Sequence, residues 1–349
     1  MTYEPTIPRN STVLVTGGTG FIGMHCIETL LHHGFKVKAT VRSHKKGEIL
    51  KRCFPRYSSK ISIGLIKDIT DTKSLIREIK GCSAVLHLAS PYTYNVKDCF
   101  SELVEPALEG TKAILKAAES ESKVKRVVIT SSFAAVFDAT KGLQPGVVLN
   151  EDQFSPLTIA DGCSTQDPAV AYRASKIVAE RYAWNFIKQR RPHFDISVVC
   201  PPMVYGPLVS TALLDNLDHL NFSNTCIWKM ANLGADSPVP PTKGPVYVDV
   251  RDLAEAEYRA LILKQAGNER FMVSAGDFCN QEICDVLRQS LSHDRARNVP
   301  VGTPGQRMSG SHYTTDSSKA ITMLGISFRS IENSVVDLVN QLYEYQISH

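Results

Sequence analysis

A short apolar run ending in three evenly spaced glycines constrains this chain more than any other feature: Val13-Leu14-Val15-Thr16-Gly17-Gly18-Thr19-Gly20-Phe21-Ile22-Gly23 reads G-x-x-G-x-x-G. A buried strand that passes directly into a helix needs such a turn. Gly17 supplies the tight geometry, Gly20 lets backbone approach a pyrophosphate, and Gly23 permits close helix packing. The helix amino terminus then faces the phosphate. Thr19, Phe21 and Ile22 share the turn and join the glycines as candidate cofactor contacts. The spacing is one residue longer than G-x-G-x-x-G, so the neighbouring elements must carry part of the argument.

The next stretch continues the pattern. Ile22, Ile27, Leu30 and Leu31 recur at helical spacing, Gly34 suits the position just past a helix, and Phe35, Val37, Ala39 and Val41 alternate with Lys36, Lys38 and Thr40. About 20 residues past the glycines, NAD-binding units place an Asp or Glu that accepts from the ribose 2′-hydroxyl. Here Arg42 takes that place, followed by Ser43, His44, Lys45 and Lys46. Arg42 and Lys46 would pair with a 2′-phosphate, which favours NADPH over NADH. A cationic run is also what an ordinary solvated loop looks like; the preceding glycine turn tips the reading toward the cofactor.

Candidate strands at 12–15, 35–41, 61–66, 84–88, 127–130 and 196–199 alternate with amphipathic stretches. This alternation predicts an α/β fold, a Rossmann-type doubly wound parallel sheet with helices on both faces. After Cys200 the texture changes: Pro201, Pro202, Pro207, Pro238, Pro240, Pro241 and Pro245 break the chain into loops and short helices. Val246-Tyr247-Val248-Asp249 then reads as a return to the sheet, followed by a capped helix. The expected division is an NADP(H)-binding domain of residues 1–200 with 245–275, and a smaller, discontinuous substrate lobe of 201–244 with 276–349.

With 349 residues, 43% hydrophobic and 21% charged, the chain has ample material for a core. Its formal net charge is +4, and its basic residues are scattered without aromatic interleaving, which argues against nucleic acid. The amino terminus has no leader-like apolar region, and no stretch approaches the ~20 apolar residues that cross a bilayer. A cytoplasmic protein without a membrane partner is expected. The nine cysteines form no C-x-x-C pair and no zinc-like spacing, so reduced thiols and no metal are expected.

Tyr172-Arg173-Ala174-Ser175-Lys176 sets a tyrosine and a lysine four residues apart in a segment, 170–189, that reads as one long helix. They share a face. A phenol titrates at about 10, and a neighbouring ammonium favours its phenolate, which suits it to general-acid work near neutral pH. Lys176 supplies that charge and can also hold the nicotinamide ribose. Alone, Y-x-x-x-K is common on surface helices. Upstream, Val127-Val128-Ile129-Thr130-Ser131-Ser132 is an apolar strand ending in hydroxyls, and ligands of open α/β sheets bind outside the carboxyl ends of strands. A serine there can hydrogen-bond a carbonyl, or it can cap the local turn.

With these residues in view, the chain resembles the extended short-chain dehydrogenase/reductase family over nearly its whole length. The matching pieces are Thr16 to Gly23, Leu86-His87-Leu88-Ala89-Ser90-Pro91, Thr130-Ser131-Ser132, Tyr172-x-x-x-Lys176 and Val248-Asp249-Val250-Arg251-Asp252. Within the family it is similar to the dihydroflavonol-reductase-like branch, and most to the fungal NADPH-dependent methylglyoxal/isovaleraldehyde reductases used as ketoreductases. It shares Ala134-Ala135-Val136-Phe137 and Gly325-Ile326-Ser327-Phe328-Arg329 with them.

The resemblance implies an NADPH-dependent carbonyl reductase. Ser132 would orient and polarise the carbonyl, Tyr172 would protonate its oxygen, and Lys176 would favour the phenolate and hold the ribose. Asp68 and Ile69 would contact adenine, although Asp68 could equally cap a helix starting near Thr70. Ala89, Ser90 and Thr130 would flank the cofactor, with Pro201 beside nicotinamide. Tyr92, Phe133, Phe137, Met203 and Tyr205 would form an apolar pocket for aliphatic or aryl carbonyls, with Phe137 and Tyr205 reading equally as core. Met203 stands where yeast relatives carry an aromatic residue. The signature of cinnamoyl-CoA reductases is absent around Tyr172, which argues against thioester substrates.

Two other readings share the glycine turn. An NAD-dependent sugar-nucleotide epimerase or dehydratase would carry an acid in place of Arg42. A non-catalytic NADP(H)-sensing regulator would lack the catalytic tyrosine, whereas Ser132, Tyr172 and Lys176 are all present. The expected partners are a small-molecule carbonyl substrate and, at most, a second copy of the chain, as monomer or homodimer.

Overall fold

The computed structural model describes residues 5–90 and 95–348. In chain order its strands are β1 (Thr12–Thr16), β2 (Lys36–Val41), β3 (Ile61–Leu65), β4 (Ala84–His87), β5 (Arg126–Thr130), β6 (Val148–Leu149), β7 (Asp195–Cys200), β8 (Met203–Tyr205), β9 (Val246–Asp249), β10 (Glu269–Met272), β11 (Gly276–Asp277) and β12 (Thr314–Thr315). Its helices are α1 (Phe21–His32), α2 (His44–Cys53), α3 (Thr72–Ile79), α4 (Glu105–Glu119), α5 (Ile159–Ser164), α6 (Pro168–Arg190), α7 (Phe222–Met230), α8 (Val250–Ile262), α9 (Asn280–Ser290), α10 (His293–Ala296) and α11 (Ile331–Ser348).

Seven strands form one sheet in the order β3-β2-β1-β4-β5-β7-β10, and every pairing is parallel. Each of the expected strands forms within one residue of its expected ends. Side chains alternate faces along a strand, and in β1 this sends Val13 and Val15 into the core under α1 and α8, and Leu14 into the core under α3, α4 and α6. Both faces are therefore covered, as a parallel sheet requires. The strand order turns back between β1 and β4, which opens a crevice at their carboxyl ends.

Two features depart from the sequence expectation. Val246 to Asp249 do not rejoin the large sheet: β9 pairs with β8 and β11 in a separate three-stranded sheet. The return is made by α8, which packs on α1, and by β10, a short strand whose pattern gave no period-2 signal. The three-stranded sheet, with α7, α9 and α11, encloses its own core around Ile227, Tyr247, Leu287, Val335 and Leu338.

Arg126, only 1% exposed, ties the bottom of the large sheet together. Its guanidinium pairs with Asp195 at 2.6 Å and donates to the carbonyls of Ala260, Leu263 and Lys264 at the end of α8. A cation at that negative helix end is favourable. Among the described residues no helix is long and apolar enough to cross a membrane, and no cluster of His, Cys, Asp and Glu could hold a metal.

Candidate active site

The glycine turn joins β1 to α1 at the crevice. Gly17 has φ +69°, in the left-handed region where side chains are strained, and a Cβ there would lie 3.2 Å from the Ala89 backbone on β4's side. A Cβ on Gly23 would sit 2.3 Å from the Gly17 carbonyl oxygen. Gly20 is the N-cap of α1, no side chain caps the first turn, and no acid lies in it. The N–H groups of that turn and the positive helix end are thus free to meet a phosphate.

β1 and β4 are locked together beside this turn. Thr16 Oγ1 accepts from the N–H groups of Leu88 and Ala89, at 3.1 Å each. With both lone pairs taken, its hydroxyl donates to His87 Nδ1, 3.0 Å away. Burial, with the nearby Lys176 charge, lowers His87 to about 3, so the ring stays neutral.

Two adjacent serines end β5, and the structure separates them. Ser131 is buried and donates its hydroxyl to Glu180 on α6. Ser132 faces a cleft of about 370 Å³; its oxygen accepts only from Ala134 N–H, at 3.1 Å, and its hydroxyl proton is uncommitted among the described residues. α6 starts at Pro168 behind the N-cap Asp167 and carries Tyr172 and Lys176 into the same cleft. Lys176 Nζ lies 5.8 Å from the centre of the Tyr172 ring. Burial lowers Lys176 to about 8, opposed by the negative charge of Glu180, so it remains an ammonium at neutral pH.

Most of the expected cofactor and pocket residues meet at this cleft. Gly17, Gly20, Phe21, Ile22 and Gly23 line one end. Ser90, Thr130 and Pro201 follow, although the Thr130 hydroxyl itself is committed to Glu257 at 2.6 Å. Phe133, Phe137 and Met203 line the other end, where Phe137 stacks 5.6 Å from Phe133.

Others lie elsewhere. Arg42 and Lys46 are exposed at the carboxyl end of β2, where α2 begins behind its N-cap Ser43. Asp68 and Ile69 follow β3, the neighbouring strand. Asp68 does not cap a helix: Asp71 does, through Lys73 and Ser74 N–H, while Asp68 accepts from Thr70. Thr19 and Ala89 flank the glycine turn without lining the main cleft. Tyr205 is a correction. Two residues of extended chain carry it about 7 Å past Met203, into the lobe core, where it packs edge-on against Phe278. Tyr92 lies outside the described residues.

Sequence reasoning missed Tyr313, which closes the aromatic wall 4.8 Å from Phe137, and Arg173, Asn221 and Ser223 along the cleft. It also missed Glu180, whose carboxylate collects Ser131, Trp184 and the guanidinium of Arg270. Glu180 had a faint signal, four residues past Lys176 on one helix face; Tyr313 had none.

Residues 13–274 match the family model described as the NAD dependent epimerase/dehydratase family. The chain is 32% identical over 348 residues to the NADPH-dependent methylglyoxal reductase GRE2 of Saccharomyces cerevisiae, covering 96% of this chain and 99% of that protein. It is 35% identical over 342 residues to the ketoreductase azaE of Aspergillus niger, covering 95% and 97%. The solved structure of yeast methylglyoxal/isovaleraldehyde reductase Gre2 complexed with NADPH has a TM-score of 0.89 and 31% identity, covering 97% of this chain and 100% of that one. A parallel sheet with its glycine turn at the switch point and a Ser-Tyr-Lys cleft beside it agree with these matches, and the chain belongs to the NAD dependent epimerase/dehydratase family, the extended short-chain dehydrogenases/reductases.

Proposed function

We propose that the chain is an NADPH-dependent carbonyl reductase that converts small hydrophobic or aryl aldehydes and ketones to alcohols. The observation that carries this reading is the convergence of an uncommitted Ser132 hydroxyl with Tyr172 and Lys176 on one mostly apolar cleft, next to a phosphate-binding turn. The turn fits the cofactor, since Gly17 holds a left-handed φ close to the Ala89 backbone, Gly23 leaves no room for a Cβ, and α1 presents its bare amino terminus. Arg42, with Lys46 beside it, would hold the 2′-phosphate.

NADPH, when bound, supplies hydride to the carbonyl carbon. Ser132 donates a hydrogen bond to the carbonyl oxygen and turns it toward Tyr172, as a positioned donor stabilises developing negative charge. Tyr172 gives its phenolic proton to that oxygen. The Lys176 ammonium favours the phenolate left behind and is placed to hold the ribose. Phe133, Phe137 and Tyr313 take the apolar body of the substrate and exclude water from the transfer.

The test is oxidation of NADPH and NADH side by side by the purified protein, with methylglyoxal, aliphatic aldehydes, aryl ketones and β-keto esters. NADPH-dependent turnover of one carbonyl class supports the reading. Cofactor binding without turnover of any carbonyl, or NAD retained through purification, would favour an epimerase instead.

A further inference from the structure

Ala169, Tyr172, Arg173 and Lys176 lie at i, i+3, i+4 and i+7 of α6 and all line the cleft. The carbonyl chemistry uses Tyr172 and Lys176; it leaves Arg173 without a task. Arg173 is half-buried and makes no ion pair or hydrogen bond with the described residues. Its charge is felt by Tyr313, where it opposes the stronger upward push of burial on that phenol. Arg173 lines the same cleft as Tyr313, which packs on Phe133 and Phe137.

The charge balance there is one-sided. No Asp or Glu is among the described lining residues, and Arg173 and Lys176 are the cations. A guanidinium in an apolar cleft loses hydration without gaining a counter-charge, an arrangement that an incoming carboxylate relieves through paired N–H···O bonds. The cofactor does not need it, because its phosphates are served by the amino terminus of α1 and by Arg42.

We propose that Arg173 is a specificity residue that binds a carboxylate, so that the favoured substrates are aldehydes or ketones with an acidic group at the far end of an apolar or aryl body. This rests on the carbonyl-reductase reading above.

The test compares NADPH-dependent reduction of para- and meta-formylbenzoate with that of their methyl esters, which keep ring and aldehyde and lose the charge. The expected result is a higher kcat/KM for at least one acid than for its ester, a preference that shrinks as salt is raised. Arg173→Gln should lower kcat/KM for that acid about 10- to 100-fold, the scale of one charged hydrogen-bonding partner. The loss should fall mainly on KM, the ester should change far less, and Arg173→Lys should recover part of it. NADPH affinity and thermal midpoint of Arg173→Gln report whether the cofactor half and the fold are intact. No preference for the acids, or an equal loss on acid and ester, overturns the assignment and leaves the reductase standing. Reduction of neither acids nor esters, nor of any carbonyl in the wider panel, by protein that binds NADPH overturns both.

Discussion

Ser131 donates its hydroxyl to Glu180 at 2.5 Å, and this bond distinguishes two neighbouring serines that look alike in the chain. Glu180, 1% exposed, also receives the Arg270 guanidinium at 2.6 Å and the Trp184 indole N–H at 3.2 Å. Arg270 in turn donates to the carbonyls of Glu151 and Gln153. The floor of the cleft is thus a satisfied polar network that joins α6, β5 and β10 and leaves Ser132 to face the cleft.

The two serines should therefore part in mutagenesis. Ser132→Ala should lower kcat about 10²-fold, the scale of one positioned donor, with little change in thermal midpoint. Ser131→Ala should keep most of the activity and cost about 1–2 kcal/mol of stability, because Glu180 loses one of its donors. Steady-state kinetics and denaturant titration on both variants decide it; the opposite pattern would reverse their roles.

Tyr172→Phe removes the proton donor and keeps the ring beside Lys176. Turnover should fall about 10²- to 10⁴-fold, while NADPH affinity, read by fluorescence titration, should stay close to that of the unaltered protein. Retained turnover would falsify the assignment of Tyr172 as acid.

Arg42→Ala should raise KM for NADPH about 10- to 100-fold, as expected for losing a charged partner of the 2′-phosphate. KM for NADH should barely move, since NADH has no group there. Equal changes for the two cofactors would show that the exposed guanidinium is only a solvated surface charge.

Glu257 is a buried carboxyl on α8 with a single donor, Thr130, and one oxygen without a partner among the described residues. Burial raises it from 4.5 to about 7. The folded chain then binds more protons than the unfolded one between these values, so this group's contribution to stability falls as pH rises from 4.5 to about 7. The penalty is complete above that. At about 1.4 kcal/mol per pKa unit it reaches about 3 kcal/mol. Glu257→Gln should flatten the stability profile over this window, as measured by urea unfolding at several pH values; an unchanged slope would assign it to other groups.

Much of the molecule was legible in the chain. The glycine turn, the six anticipated strands and the pairing of Tyr172 with Lys176 are local patterns: a glycine triplet, alternation in two-sided apolar runs, and a spacing of one helical turn. Their physical causes act over a few neighbouring residues. The pairing of β9 was not legible, because an apolar four-residue strand carries no mark of which sheet it will join.

Legible in the chain alone were a parallel sheet, a glycine turn after its first strand, a phenol and an ammonium sharing one helix face, and a cation where NAD-binding units carry an acid. Tertiary packing alone set which serine is uncommitted, that Tyr205 belongs to a core while Tyr313 belongs to the cleft, and that Arg173 faces the cleft without a counter-charge among the described residues. Those outcomes depend on pairs such as Glu180 and Arg270, 90 residues apart, which meet because burying a charge demands a partner wherever the fold can bring one. Local periodicity does not encode that encounter; packing of distant elements does.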